Sequence, residues 1–336
     1  MGFSEDAEKV RAWSVDYPAS KAIVKAVLEA GLYFFDTAPV YSDGSSEKAL
    51  GRALKELGVK REDVLIATKF YPRSQEEIND GITMNQHVRA WVEGSLKRLQ
   101  TEHMDLLYMH MWDWNTPIEE TLQVLSDLID EGKIRASGLS NVFGWQAAMA
   151  CEKVAALYPI SAIENRWNLI SRNDETELVP CAEHYDLTLI PYASLAGGRL
   201  ARPLGTVTHR SQTDLYGANK FSTQKEADSK IIRELEAIAG ELNVSMSSVA
   251  LAWLMEQGAV PLAGATSAGQ IAGLKEACEV RLSPEQKARL EEDYAPHVIT
   301  GVLAEHTPQQ DCYQAYNIRS MKEILPSLET LKTFAK

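Results

Sequence analysis

The chain lacks the glycine-rich patterns that bind nucleotide phosphates in two common α/β folds. Neither GxGxxG nor GxxxxGK followed by Ser or Thr occurs anywhere in its 336 residues. A doubly wound sheet would normally carry such a fingerprint after its first strand. The absence therefore favours a different arrangement of any strands and helices that the chain forms.

Cysteine and positive charge are also scarce. The four cysteines lie far apart without a CxxC pair, which suits a reducing compartment and offers neither a disulfide framework nor a zinc ribbon. Lys and Arg number 34 against 47 Asp and Glu, for a net charge of −13. No basic stripe is available to neutralise phosphates, so nucleic acid is not an expected partner.

Long hydrophobic runs are missing as well. The first residues have no apolar segment of the kind found in secretion signals. The most apolar long stretch, residues 249–265, is interrupted by Glu256, Gln257, Gly258 and Pro261. We therefore expect no membrane span and a cytoplasmic location.

Short apolar runs alternate with longer amphipathic segments along the whole chain. Runs such as DLLYMHM and LTLIPYA are almost continuously apolar, as in parallel strands that are buried on both faces. Strands are predicted over residues 32–36, 64–68, 104–110, 136–139, 160–163, 187–192 and 260–262. Helices are predicted over residues 19–30, 46–56, 87–99, 118–129, 175–183 and 230–242.

This order predicts one α/β domain, a (β/α)8 TIM barrel, over residues 1–301. Only seven strands are predicted, and the first strand of the barrel is expected to be truncated or absent, because segment 10–15 is a poor strand candidate. The polar segment 197–228 has the length of a lid or binding loop. Residues 302–336 are predicted to form a helical tail packed on the barrel.

Ionisable residues end three successive predicted strands. Asp36, Lys69 and His110 hold these positions, and Tyr41 follows the first of them. Each has an ordinary explanation by itself: a turn residue, a lysine that reaches out of a strand, and a hydrogen-bonded core histidine. The ends of barrel strands meet at one rim, however, and burying all three groups there without a function would be costly.

These residue types suit proton-coupled hydride transfer to a carbonyl group. A carbonyl that receives hydride at carbon needs a proton at oxygen, and a tyrosine such as Tyr41 can give it when a neighbour stabilises the phenolate. The ammonium group of Lys69 can do so, and Asp36 can hold the lysine in place. His110 can orient the carbonyl and share its developing charge.

Several segments together resemble the successive signatures of the aldo-keto reductase superfamily. They are, in order, FFDTAPVY, SSEKALGRAL, LIATKF, DLLYMH, EGKIRASGLSN, IPYASLAGGRL and the pair LAWLMEQ and GATSAGQI. The resemblance extends from about Met1 to Gly301, and NTPIEE and YAPHVITG are most similar to the bacterial branch of broad-specificity aldehyde and aryl-alcohol reductases. It implies an oxidoreductase that uses NAD(P)H to reduce small aldehydes or ketones to alcohols.

The resemblance also implies roles for individual residues. Tyr41 would be the general acid, Lys69 and Asp36 would tune its pKa, and His110 would orient the carbonyl. The implied cofactor contacts are Ser140 and Asn141 at the carboxamide, Tyr192 on the nicotinamide ring, Leu195, Gly197 and Arg199 along the pyrophosphate, and Gly264, Thr266, Ser267 and Gln270 at the adenosine. The implied substrate-facing residues are Tyr71, Met111 and Trp112.

The sequence departs from the family pattern at three places. The family carries a first strand before a segment like the MGFS of residues 1–4. Glu164 stands where the family usually has a glutamine that contacts the carboxamide, and a carboxylate can only accept hydrogen bonds unless it is protonated. Thr266, Ser267 and Leu274 stand where relatives often place an arginine and an asparagine. The family implies NADP(H), but no Arg or Lys lies between Gly264 and Leu274, which leaves NAD(H) open.

Two alternatives stay open at this point. The departures would also fit a cofactor-impaired, non-catalytic or regulatory homologue on the same fold. A metal-dependent barrel hydrolase would need clustered ligands such as an HxH pair, and the seven histidines contain none. No metal site is therefore expected.

Overall fold

A parallel sheet of six strands forms the centre of the molecule. The computed structural model describes residues 2–5, 14–153, 158–209, 212, 221, 223–305, 307–308, 313, 321 and 324–334. The strands are β1 (Phe34–Asp36), β2 (Leu65–Phe70), β3 (Met104–Met109), β4 (Ile134–Ser140), β5 (Ile160–Glu164) and β6 (Thr188–Leu189). They are hydrogen-bonded in sequence order, so each strand lies beside the next one in the chain. This is the order of a (β/α) barrel, as predicted.

Helices connect the strands and form an outer layer. Their bounds are α1 (Tyr17–Glu29), α2 (Ser45–Glu56), α3 (Gln75–Asn79), α4 (Met84–Leu99), α5 (Ile118–Asp130), α6 (Gly144–Lys153), α7 (Leu178–His184), α8 (Lys225–Leu242), α9 (Met246–Glu256), α10 (Ile271–Ala277), α11 (Pro284–Glu291), α12 (Val302–Glu305) and α13 (Leu328–Lys332). The six helices predicted from the sequence correspond to α1, α2, α4, α5, α7 and α8. Helix α8 begins at Lys225, which shortens the predicted loop 197–228 at its C-terminal end, and residues 213–220 of that loop lie outside the described part.

The last two predicted strands are shorter than expected, and prolines are the reason. The run 187–192 is a regular strand only at Thr188–Leu189, with an isolated parallel bridge further on between Tyr192 and Arg166, and the run 260–262 is not a regular strand. Pro191 and Pro261 have no N–H group and so cannot donate to a ladder. The second run nevertheless continues the sheet, because Val260 N–H donates to the Leu189 carbonyl and Leu262 N–H to the Pro191 carbonyl, both at 2.8 Å.

The sheet has an open side between β1 and residues 260–262. Among the described residues, no strand pairs with the outer edge of either segment. The weak strand candidate 10–15 lies largely outside the described residues, and its last residue, Val15, forms an isolated parallel bridge with Phe3. The helical layer continues across this side, because α1 contacts α10 and the turn Ala268–Gln270 before it.

Two hydrophobic clusters lie on the two faces of the sheet. Ala67, Tyr108, Ala162 and Ile190 fill the interior of the barrel, with Phe34, Leu106 and Leu262 packed against them. A larger cluster fills the space between the strands and the outer helices. Because both faces of each strand are covered, the strands read as continuous apolar runs in the sequence.

The C-terminal tail contacts helix α4. Leu331 is fully buried in a small cluster with Ile82 and Ala90, and the Phe334 carbonyl accepts a 3.0 Å hydrogen bond from the Gln86 amide. The division of the chain at residue 301 stays a prediction.

Within the described residues, no single helix has the length and hydropathy of a membrane span. Helices α8 and α9 meet those criteria only when taken together, and the chain bends by 99° between them.

Candidate active site

The polar residues of the site lie one pleat beyond the residues that fill the barrel. Side chains alternate along a strand, so residues two apart point the same way. Two residues after the interior positions Phe34, Ala67, Tyr108, Gly138, Ala162 and Ile190 come Asp36, Lys69, His110, Ser140, Glu164 and Tyr192. One level of the barrel is therefore apolar, and the next level, at the C-terminal rim, is polar.

Lys69 lies at the centre of this polar level. Its side chain is fully buried, and its ammonium group donates to Asp36 Oδ1 at 2.7 Å and to the Thr37 carbonyl at 3.0 Å. Glu164 Oε2 lies 3.1 Å from the same nitrogen. Burial by itself would lower the pKa of the Lys69 ammonium, but the carboxylates of Asp36 and Glu164 outweigh it and hold that pKa well above its usual range. Lys69 is therefore a permanently charged group.

Tyr41 is held above Lys69 by a tight turn after β1. Ser42, Asp43 and Gly44 have φ values of 56°, 50° and 78°. This is a run of left-handed backbone conformations, which residues other than glycine rarely adopt. The Lys69 ammonium lies 5.2 Å from the centre of the Tyr41 ring. Burial raises the pKa of the Tyr41 phenol, Lys69 lowers it by a smaller amount, and Glu164 and Asp36 raise it further. The phenol thus keeps its proton and is suited to be an acid.

His110 faces Tyr41 from the end of β3. The two ring centres are 6.0 Å apart in an edge-to-face arrangement. The His110 ring also contacts the Tyr71 ring, with 4.7 Å between their centres. Burial, followed by the charge of Lys69, lowers the pKa of the imidazole well below its ordinary value. His110 is therefore neutral near pH 7 and can act as a hydrogen-bonding group rather than as a cation.

Asn141 connects three strand ends. Its amide nitrogen donates to the His110 carbonyl at 2.9 Å and to the Ser140 hydroxyl at 3.0 Å, and its amide oxygen accepts a 2.8 Å bond from the Tyr192 hydroxyl. The Ser140 hydroxyl in turn donates to the Glu164 carbonyl at 2.8 Å. With φ at 55°, Asn141 is in the left-handed region, which asparagine tolerates better than most residues.

The loop after β6 combines unusual backbone with positive charge. Ala193, Ala196, Gly197 and Gly198 all have positive φ, and Leu195 lies between them. The guanidinium of Arg199 lies 5.1 Å from the Phe221 ring centre. A Cβ atom at Gly198 would lie 2.9 Å from Nη1 of Arg202, so a second guanidinium lies directly over this backbone. Such a loop fits an anionic group such as a diphosphate.

The segment predicted to enclose an adenosine lies at the surface. Gly264, Thr266, Ser267 and Gln270 are all exposed, and the Gln270 side chain accepts a 2.7 Å hydrogen bond from the Thr266 N–H. A turn of this kind can border a ligand, but it contains no cation. The donors at the rim and in the left-handed loop after β6 fit the nicotinamide and diphosphate groups of a dinucleotide. The exposed turn offers no cation to a 2′-phosphate.

Aromatic side chains form a wall beside the rim. Of the residues predicted to face a substrate, Tyr71 and Trp112 are 6% exposed and Met111 is fully buried. The ring centre of Trp145 lies 6.1 Å from that of Trp112 and 6.0 Å from that of Trp114. Trp145 is 46% exposed and was not predicted from the sequence, although its place directly after a strand end, at the start of α6, is a usable signal.

Tyr108 is a second residue that the sequence reasoning did not single out. It is fully buried inside the barrel, and its ring centre lies 5.5 Å from the Lys69 ammonium. Burial raises the pKa of its phenol well above the usual value, and Glu164 and Asp36 raise it further. Its position two residues before His110 on the same strand was the available signal.

A buried charge cluster at the C-terminal rim of a (β/α) barrel is typical of an enzyme, and comparisons with known proteins agree. Residues 3–295 match the sequence model of the aldo/keto reductase family. The chain is 32% identical over 82% of its length to AAD16 of Saccharomyces cerevisiae, 86% of which is covered and whose name assigns it to the aryl-alcohol dehydrogenases. It is 31% identical over 85% of its length to the versiconal hemiacetal acetate reductase of Aspergillus parasiticus, covering 90% of that protein.

A solved structure shares the fold. The glycerol dehydrogenase AKR11B4 from Gluconobacter oxydans superposes with a TM-score of 0.73 at 29% sequence identity, covering 88% of this chain and 91% of that one. Fold and relatives together define an oxidoreductase that acts on carbonyl and alcohol groups. The chain belongs to the aldo/keto reductase family. The predicted family is thus confirmed, the non-catalytic alternative is not favoured, and the assignment to a bacterial branch stays a prediction.

Proposed function

We propose that the chain reduces aldehydes or ketones to alcohols with NADPH or NADH, using Tyr41 as the general acid. The observation that carries this proposal is the buried Lys69–Asp36 pair at 2.7 Å, beside a phenol that keeps its proton and an imidazole that stays neutral. Each of these states is the one that reduction of a carbonyl requires.

Each residue of the site has a role that follows from its charge. Tyr41 donates its phenolic proton to the carbonyl oxygen, and Lys69 stabilises the phenolate that remains. Asp36 and the Thr37 carbonyl fix the ammonium group so that it needs no reorganisation during the reaction. His110 donates a hydrogen bond to the same oxygen and orients it. The nicotinamide cofactor, when bound, supplies the hydride to the carbonyl carbon.

The cofactor would be held by groups along the rim. We assign the carboxamide to Ser140, Asn141 and Glu164, and the ring to Tyr192. The left-handed loop with Leu195, Gly197 and Arg199 would hold the diphosphate, and the exposed turn with Gly264, Thr266, Ser267 and Gln270 would border the adenosine. NADP(H) is the family's usual cofactor, and the missing cation in this turn makes NAD(H) a direct competitor.

The substrate class that fits best is a small aromatic carbonyl. Trp145 presents a half-exposed indole face at the rim, backed by Trp112 and Trp114. Flat aromatic rings stack favourably on such a surface. The relationship to a protein named as an aryl-alcohol dehydrogenase supports the same class.

Kinetics with both cofactors test the proposal. Oxidation of NADPH and of NADH would be followed with an aromatic aldehyde, for the wild type and for Tyr41→Phe. Loss of the acid should lower kcat by about 10²- to 10⁴-fold. Tyr33→Phe is the matched control, because Tyr33 lies at the opposite end of β1 and is 56% exposed. Equal turnover by the wild type and Tyr41→Phe would overturn the proposal.

A further inference from the structure

Glu164 places a second carboxyl group on the buried lysine of the active site. Lys69 Nζ lies 2.7 Å from Asp36 and 3.1 Å from Glu164, and the three side chains are 0%, 9% and 3% exposed. If both carboxyls were ionised, this site would hold two negative charges against one positive charge. An uncompensated charge is costly to bury, and a proton on one carboxyl removes that cost.

The surrounding groups do not supply a second cation. The titratable side chains that face the cluster come from each strand around it: Asp36 and Tyr41 on or after β1, Lys69 on β2, Tyr108 and His110 on or after β3, and Glu164 on β5. Both tyrosines keep their protons and His110 is neutral. Among these described residues, Lys69 is the only cation.

One oxygen atom in the cluster needs a donor. Asp36 Oδ2 is buried and receives no hydrogen bond from another described residue, whereas Glu164 Oε2 has the Lys69 ammonium at 3.1 Å. Both carboxyl groups lie within 3.1 Å of the same nitrogen atom, and their contact with each other raises the pKa of Glu164. Two carboxylates repel each other at such a contact, whereas a carboxylic acid beside a carboxylate forms a strong hydrogen bond.

We propose that Glu164 is a positioning residue that carries a proton at neutral pH and donates it in a hydrogen bond to Asp36. In this state Asp36 and Lys69 form a balanced pair, and the ammonium can stabilise the Tyr41 phenolate. Loss of the proton leaves an extra negative charge beside Lys69, which opposes formation of the phenolate. The protonated acid can also donate as well as accept, as a glutamine amide does.

Burial, the charge of Asp36 and the contact with Asp36 raise the pKa of Glu164 to about 8, in agreement with this assignment. Reduction should therefore weaken on the alkaline side, as Glu164 ionises. The kinetic part of this inference rests on the proposed function, because it concerns the step in which Tyr41 gives up its proton.

The first test is the pH profile of kcat for wild type and Glu164→Gln. In the wild type, kcat should fall as the pH rises above about 8, approaching about tenfold for each pH unit. Glu164→Gln stays neutral and should lose this alkaline limb, whereas Glu164→Asp should retain one. If Glu164 had only a structural role, its replacement would change kcat by the same factor at every pH and leave the alkaline fall in kcat unaltered. That result would overturn the proposal.

A second measurement needs no activity and so separates this inference from the proposed function. A carboxyl group whose folded pKa is raised stabilises the fold fully below its unfolded pKa, near 4.5, and that contribution is lost as the pH rises through about 8. The Tm of Glu164→Gln minus that of the wild type should therefore increase between pH 5 and pH 9. Burial also raises the pKa of Asp174, to about 7, so the infrared spectra are compared by difference. The spectrum of the wild type minus that of Glu164→Gln at pH 7 should show the band of one protonated carboxylic acid. A constant difference in Tm together with no such band would overturn the proposal, even in an active reductase.

Discussion

Gly138 and Tyr108 are in direct contact across neighbouring strands. A Cβ atom added at Gly138 would lie 2.6 Å from Cδ1 of the Tyr108 ring and 2.8 Å from the Ala162 carbonyl oxygen. These distances are shorter than van der Waals contact, so glycine at 138 is what lets the tyrosine ring cross the barrel beneath Lys69.

Gly138→Ala is therefore expected to destabilise the protein. Overpacking a buried position costs about 1–3 kcal/mol, and here one of the clashing atoms belongs to the backbone of β5. Urea unfolding would measure the loss. Gly240→Ala is the matched control, since Gly240 lies in helix α8 with open space around it and should gain up to about 1 kcal/mol. Equal unfolding midpoints for wild type and Gly138→Ala would show that the barrel interior can relax.

Lys69→Met should cost stability as well as activity. It leaves Asp36 buried without its cation, and breaking a buried ion pair by removing one partner typically costs about 3–5 kcal/mol. Adding Asp36→Asn to this variant should recover part of the stability and none of the turnover. Lys25→Met provides the comparison, because the Lys25 side chain is 61% exposed and its removal should change stability by less than about 0.5 kcal/mol. Unfolding midpoints that match for the two lysine variants would contradict this expectation.

Acidification should destabilise the wild type partly through His110. Burial holds the pKa of the folded imidazole well below 6.5, its value in an unfolded chain. The contribution of neutral His110 to the free energy of unfolding is present above pH 6.5. It is lost as the pH falls, because the unfolded chain then takes up a proton that the folded chain does not. The loss reaches up to about 1.4 kcal/mol per pH unit.

The slope of unfolding free energy between pH 6.5 and pH 5 measures this effect. His110→Asn should flatten the slope, whereas His184→Asn, at the exposed end of α7, should leave it as in the wild type. An unchanged slope in His110→Asn would show that folding does not lower the pKa of this imidazole.

Trp145→Ala should change substrate preference rather than the chemical step. Losing an aromatic contact of about 0.5–1.5 kcal/mol should raise KM for an aromatic aldehyde by about 2- to 10-fold. KM for a short aliphatic aldehyde and kcat for both should change little. Tyr33→Ala removes an aromatic residue that is 56% exposed at the far end of the barrel, and it should alter neither KM value. A parallel rise in KM for both aldehydes would exclude a role for Trp145 in recognising the ring.

The sequence was sufficient to predict the rim of the site, and the reason is geometric. Strands that follow one another in the chain lie side by side, so residues that end successive strands meet without any knowledge of long-range contacts. Asp36, Lys69 and His110 were predicted in this way, and the structure brings them together. Tyr41 was singled out because it follows the first of these strand ends, but its place above Lys69 depends on a left-handed turn that the sequence did not reveal.

Contacts across strands were not predictable in the same way. Glu164 was expected to face a cofactor amide, and that stays a prediction. Its contact with Lys69, at 3.1 Å across the barrel, was not foreseen. Side-chain partners on different strands depend on register, which is set by the packing of the whole sheet. The shortened strands at Thr188–Leu189 and at residues 260–262 were readable from Pro191 and Pro261, and their prediction at full length was wrong.

The hydrogen bonds of Asn141 have a mechanical consequence. One amide group is bonded at the same time to the backbone carbonyl of His110 and to the hydroxyl of Tyr192. A displacement of the Tyr192 ring therefore pulls on the strand end that carries the imidazole, unless one of these bonds breaks. In the proposed function Tyr192 meets the coenzyme and His110 aligns the carbonyl. Binding of one ligand would then influence, through Asn141, how well the second one is aligned.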